Sequence, residues 1–197
     1  MSDLINFLAT RISTPIIGLI EPAPSDADLT QMLTIASRVP DHGKLAPWRF
    51  ILYRGDTRIQ VGELLAERAA RRADELGEEF TDSRREQELK RFSRAPLVIG
   101  IICSPRDTHR IPEWEQLLSA GAAAMQLCNA ANAMGYGSNW ISNWYSDDEE
   151  GKRLLGLGPH EKVAGFVHIG TPKAQAPDRP RPELKTIVSD YQGPYQG

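Results

Sequence analysis

The run Leu97-Val98-Ile99-Gly100-Ile101-Ile102-Cys103 constrains the fold more than any other stretch of this chain. It is almost continuously apolar, rich in β-branched residues, and bounded by Pro96 on one side and Ser104-Pro105 on the other. A strand with one face in water alternates apolar and polar residues. A run without alternation has no face to give to solvent and predicts a buried central strand.

The other elements follow from periodicity and punctuation. Ser2 can cap a first helix in which Leu4, Ile5, Leu8 and Ile12 share a face, before Pro15, Gly18 and Pro22 break the chain. Ser25 with Asp28 resembles a capping box, and Leu29, Met32, Leu33 and Ala36 carry a helical face toward Pro40. Residues 48–53 read as a strand with Trp48, Phe50 and Leu52 on one side. Residues 57–94 are rich in Arg and Glu at helical spacing, interrupted at 77–83. They read as a solvated helical face, with a lid over a pocket as the alternative. Residues 113–134 form a long helix with Gly135 as its cap, and Ala120-Gly121-Ala122-Ala123-Ala124 lets either a partner helix or the sheet approach closely. A short strand at 136–141, a helix opened by Ser146 and Glu149, and a last core strand at 163–169 complete the pattern. From Thr171 onward, five prolines in 27 residues predict an extended arm, reaching a second subunit, with Thr186-Ile187-Val188 as a short strand within it.

With 197 residues, no internal repeat and no composition break, the chain reads as one domain, its arm covering about 172–197. A composition of 41% hydrophobic and 25% charged residues is that of a soluble globular protein. The net charge of -3 gives no general reason to bind nucleic acid or an anionic membrane, but leaves room for a local basic pocket. No segment approaches the roughly 20 apolar residues of a membrane helix, and the N-terminus lacks the pattern of a signal peptide. Cys103 and Cys128 lie in apolar stretches without a CxxC pair, which predicts buried free thiols and a cytoplasmic setting.

Chemistry-bearing motifs are notable for what is missing. The chain has no GxGxxG after a strand, no GxxxxGK[ST], no HExxH and no GxSxG. His42, His109, His160 and His168 lack metal-ligand spacing, and His168 reads as a structural residue of the last strand. What remains is a loop, Arg38-Val39-Pro40-Asp41-His42-Gly43-Lys44, held between a helix and a strand, plus two distant basic segments. Arg11-Ile12-Ser13 ends the first helix, and Arg179-Pro180-Arg181 lies in the arm. Arginine forks and a serine hydroxyl suit a phosphate.

Taken in order, these segments resemble the FMN-dependent nitroreductase-like flavoproteins, most closely the small single-domain NAD(P)H nitroreductase subgroup. The resemblance rests on Arg11-x-Ser13, Arg38-x-Pro40-Asp41-His42 leading to Pro47-Trp48-x-Phe50, and Arg94-Ala95-Pro96. It continues through Trp114-Glu115-Gln116, Ser119-Ala120-Gly121, Gly135-Tyr136-Gly137-Ser138-Asn139-Trp140, and Val163-x-Gly165-Phe166 with Ile169-Gly170-Thr171-Pro172.

The resemblance implies an α+β three-layer sandwich, a mixed, mostly antiparallel sheet flanked by helices. It also implies a homodimer with exchanged C-terminal arms and FMN at the interface. It assigns Arg11 and Ser13 to the FMN phosphate, with Ile12 between them as part of the cofactor site, Arg38 and His42 to the flavin across the interface, Trp140, Ile141 and Ser142 to the flavin's surroundings, and Arg179 and Arg181 to phosphate contact. It further implies an oxidoreductase that takes electrons from NADH or NADPH and reduces small flat acceptors, nitroaromatics or quinones, by a ping-pong mechanism. No protein acid, base or nucleophile is required for hydride transfer, so no catalytic side chain is named. His42 and Trp140 are candidates for the pocket wall. A flavin-binding module with little turnover and an FMN enzyme for one dedicated metabolite are the alternatives. Ala46 stands where the family usually has Gln, and Ile12 and Ile141 where close relatives often carry a basic residue.

Overall fold

The computed structural model describes residues 3–195. Ser2, expected to cap the first helix, lies outside them. Five strands are present: β1 (Leu19–Ile20), β2 (Trp48–Arg54), β3 (Leu97–Cys103), β4 (Gly137–Ile141) and β5 (Lys162–Pro172). The α-helices are α1 (Asp3–Thr10), α2 (Asp26–Ala36), α3 (Thr57–Leu76), α4 (Asp82–Leu89), α5 (Glu113–Ala133) and α6 (Glu149–Leu154).

β5 is the hub of the sheet. It pairs with β3 over 162–169, with β4 over 166–170 and with β1 at Thr171 and Pro172. The other edge of β3 pairs with β2. Each of these ladders is antiparallel.

All seven residues of β3 are buried, as the unbroken apolar run predicts. Alternation along the strand divides them between two cores. Leu97, Ile99, Ile101 and Cys103 join Leu29 and Met32 of α2 and Leu127 of α5. Val98 and Ile102 join Val61 and Leu65 of α3, with Phe92, Tyr145, Leu155 and Phe166. The sheet is thus covered by α2 and α5 on one face and by α3 on the other, which makes an α+β architecture of three layers. Both cysteines are buried and free, and burial pushes the Cys103 thiol up to about 11.

The local signals act as expected at several ends. The Ser25 side chain accepts from the Asp28 N–H at 3.1 Å and starts α2. Gly77 stops α3 with φ 65°, a left-handed conformation that glycine takes without steric cost.

Other local expectations are corrected. α1 ends at Thr10, so Ile12 is not on its face. Asp148, not Ser146, caps α6, accepting from the Gly151 N–H at 2.7 Å. The Ser146 hydroxyl instead accepts from the Asn143 N–H and closes a 3-10 turn over Trp144–Ser146. Thr186-Ile187-Val188 is not a strand: a 3-10 turn occupies Leu184–Thr186, off the sheet, and a strand needs a ladder neighbour.

The charged stretch 57–94 forms an outer layer on the sheet and is not uniformly solvated. Arg68 is buried and binds Asp148 through both its Nε and a terminal nitrogen, at 3.0 and 2.7 Å, and also Glu75. Buried Glu88 accepts from Arg91 and from the Trp144 indole. Helical spacing marks which residues share a face, but not which charges find partners on another element.

Candidate functional site

α5 passes the sequence-predicted site residues one group at a time. Near its N-terminus it holds the 38–47 loop. The Ser119 hydroxyl donates to the Pro40 carbonyl at 2.6 Å, and the His42 Nδ1 lies 2.8 Å from Glu115 Oε2. The Asp41 carboxylate accepts from the Leu45 and Ala46 N–H groups at 3.1 and 2.9 Å, folding the loop onto itself. Lys44 and Ala46 hold positive φ values of 54° and 45°, a conformation that costs on the order of 1 kcal/mol or more for residues with a Cβ. Arg38 is exposed, and its guanidinium has no hydrogen bond or ion pair among the described residues.

At its middle, α5 meets Trp140. The indole N–H donates to the Ala164 carbonyl at 3.2 Å. A Cβ on Gly165 would overlap that nitrogen and come within 2.5 Å of Trp140 Cδ1, while one on Gly121 would stand 3.9 Å from Cη2. The indole is therefore seated on bare backbone of β5 and flanked by bare backbone of α5, with 39% of the residue exposed. Ile141 is half-buried beside it, and Ser142 is exposed just beyond β4.

Toward its C-terminal half, α5 approaches the segment after α1. The Thr14 N–H donates to the Ser138 carbonyl at 2.9 Å, and the Asn139 amide donates to the Thr14 carbonyl at 2.7 Å. This straps residues 11–14 along β4. Arg11 and Ile12 line a groove of about 420 Å³ with Asn132, Tyr136 and residues 174–176. Burial pushes the Cys128 thiol up, while a bond to Ser138 and the nearby Arg11 charge pull it back. The Arg11 guanidinium itself has no hydrogen bond or ion pair among the described residues, and Ser13 is exposed. Arg179 and Arg181 are exposed in the arm, Arg181 paired to Asp178 at 2.9 Å. The groove meets the arm at 174–176, so these two arginines are not among the residues lining it.

The three groups thus lie at the start, middle and end of one helix. From Glu115 to Cys128 the helix rises about 20 Å, at 1.5 Å per residue. One chain does not bring the His42 loop and the Arg11 segment together. The outward side of α5 carries exposed Trp114, Leu118 and Met125, and α1 exposes Leu4, Ile5 and Leu8. Trp114, Leu118 and Met125 are spaced by four and seven residues, which puts them in one row along α5. Among the described residues no group of His, Cys, Asp and Glu could hold a metal ion, and no helix is long and apolar enough to cross a membrane.

The nitroreductase family model matches residues 20–171. The chain belongs to the nitroreductase family. Among its relatives is YdjA of Escherichia coli K12, provisionally named an NAD(P)H nitroreductase, 32% identical over 174 residues that cover 88% of this chain and 91% of that protein. A nitroreductase-like family protein from Bacillus cereus superposes with a TM-score of 0.80 at 20% identity over 98% of both chains. A provisionally named nitroreductase from Desulfovibrio desulfuricans, solved in complex with FMN, superposes with a TM-score of 0.72 at 19% identity, over 98% of this chain and 99% of that one.

Two members of the constellation were not singled out from sequence as site residues. Glu115, the partner of His42, lies in the Trp114-Glu115-Gln116 segment, and Gly165, the floor under Trp140, in the Val163-x-Gly165-Phe166 segment. Both were visible as motif members, but their pairing with residues 73 and 25 positions away was not.

Proposed function

We propose that this protein is an FMN-dependent oxidoreductase that takes electrons from NADH or NADPH and reduces small flat acceptors, nitroaromatics or quinones, in a ping-pong cycle. We propose further that it works as a homodimer, each chain one folded unit whose arm from about residue 172 reaches its partner. The observation that carries this reading is the separation along α5. The Arg11 segment and the His42 loop both have unpaired or presentable polar groups, yet sit about 20 Å apart on one helix. If two copies of α5 pack antiparallel across a two-fold axis near Gly121, the His42 loop of one chain falls opposite the Arg11 segment of the other. The exposed row Trp114, Leu118 and Met125 supplies an apolar seam for that packing.

The residues fit the cofactor's chemistry. Arg11, with a free fork, and the Ser13 hydroxyl would hold the phosphate, joined by Arg179 or Arg181 once the arm is placed. Trp140, with Ile141 and Ser142 beside it, would form one wall of the ring site. Arg38 and His42 would approach from the partner, His42 oriented by Glu115. When bound, the flavin would supply the hydride and electron chemistry between nicotinamide and acceptor. These side chains would orient the ring and shield it from water on the side of Trp140.

The test is an anaerobic titration of purified protein. The reading expects a yellow dimer that bleaches with NADH or NADPH and regains colour with a nitroaromatic or quinone. Yellow protein that neither nicotinamide bleaches would instead be a flavin-binding module, and colourless protein that FMN does not reconstitute would remove the cofactor altogether.

A further inference from the structure

The connector between β3 and α5, residues 104–112, has no regular structure, yet its backbone is fixed from beneath. Buried Gln116 accepts from the Arg106 N–H at 2.8 Å and donates to the Arg106 and Ile111 carbonyls at 3.0 and 3.3 Å. The Thr108 hydroxyl donates to the Ile111 carbonyl and accepts from the Ile111 N–H, at 3.0 and 2.9 Å. Ile111 in turn rests on the His42 loop: a Cβ on Gly43 would come within 2.5 Å of its Cδ1. The connector is therefore locked against the loop that presents His42.

The side chains at its tip are left free. Arg106, His109 and Arg110 are exposed, and neither guanidinium has a hydrogen bond or ion pair among the described residues. The acids of the first turn of α5 that could neutralise them are committed elsewhere, Glu113 to Lys162 at 2.5 Å and Glu115 to His42 at 2.8 Å. Asp107 is the one carboxylate of the connector. The backbone is held in one shape while both guanidinium groups stay unpaired and open to an anionic ligand group. Planar arginine forks match a phosphate in particular.

We propose that Arg106 and Arg110 read the 2′-phosphate on the adenosine ribose of the nicotinamide donor, so that the enzyme favours NADPH over NADH. The proposal rests on the flavin reading above, because a flavin beside His42 is what would bring the nicotinamide to this loop.

The experiment uses the holoprotein and the double variant R106A/R110A. Calorimetric titration with 2′,5′-ADP and with 5′-AMP isolates the phosphate without the nicotinamide. The parent is expected to bind 2′,5′-ADP about tenfold or more tightly than 5′-AMP, the gain of one charge-assisted contact. The variant should lose that difference, and its ratio of kcat/KM for NADPH over NADH should fall toward one. Equal binding of the two probes by the parent, or a preference kept by the variant, overturns the proposal. An anionic acceptor could use the same cations, so 4-nitrobenzoate is compared with nitrobenzene. A loss confined to 4-nitrobenzoate assigns the loop to the acceptor and overturns the donor assignment. Failure of the flavin reading shows separately, as protein that does not bleach while its probe binding remains measurable.

Discussion

Replacing Gly165 with alanine should unseat Trp140. The new methyl would overlap the indole nitrogen and approach within 2.5 Å of Cδ1, and Gly165 is buried in a five-stranded sheet with φ 152°. At Gly165 the strand is held by β3, opposite Ile101, while the ladder with β4 begins one residue later at Phe166, so the partly exposed indole is the group that gives way. Its hydrogen bond to Ala164 is then lost, at about 1 kcal/mol. Forcing one methyl into a packed site adds about 1–3 kcal/mol. Together these predict a loss of about 2–4 kcal/mol in urea unfolding of the apoprotein. If the indole is also a wall of the flavin site, losing an aromatic contact of about 0.5–1.5 kcal/mol should weaken FMN binding by about twofold to tenfold. Fluorescence titration of the apoprotein with FMN measures this directly, and the tryptophan emission should shift as the indole becomes more exposed. A Gly165→Ala protein with the parent's unfolding curve, emission and FMN affinity would show that Trp140 is not held by this floor.

Three further outcomes are expected. Arg11→Ala should lower FMN affinity by about one to two decades while leaving riboflavin binding nearly equal in mutant and parent, because only FMN carries the phosphate; equal losses for both flavins would make Arg11 a structural residue. Deleting the chain from Pro177 should weaken dimerisation and flavin retention together, and sedimentation of a truncated protein that stays a yellow dimer would contradict the role of the arm. Burial holds the His168 imidazole down to about 4, against 6.5 when unfolded, so the neutral ring favours folding above pH 6.5 and that contribution drains away as pH falls through 4. Urea unfolding should therefore show stability falling by up to about 3 kcal/mol between pH 6.5 and 4 from this group, and His168→Gln should flatten the slope.

The elements were readable where one local signal decides them. The unbroken 97–103 run named the central strand, Gly77 ended the long charged helix, and Ser25 opened α2. Signals that compete within a few residues were not. Ser146 and Asp148 both offer a side-chain oxygen, and only the three-dimensional turn decides that Asp148 caps the helix. The burial of Arg68 was hidden because its partner Asp148 is 80 positions away. In the candidate site the polar residues were legible as types suited to phosphate, whereas the glycine under Trp140 and the carboxylate beside His42 act through contacts that no spacing rule reports. Thr186-Ile187-Val188 has the composition of a strand, but that property is realised only against a ladder edge.

The placement of the Arg11 segment and the His42 loop at opposite ends of α5 has a genetic consequence. If each site draws one group from each chain, a chain defective at Arg11 and a chain defective at His42 complement one another. In the mixed dimer both lesions fall in the same site and the other site is whole. Random reassociation of the two defective proteins would then restore roughly a quarter of the sites. If instead one chain furnished both groups, mixing the two mutants would restore nothing.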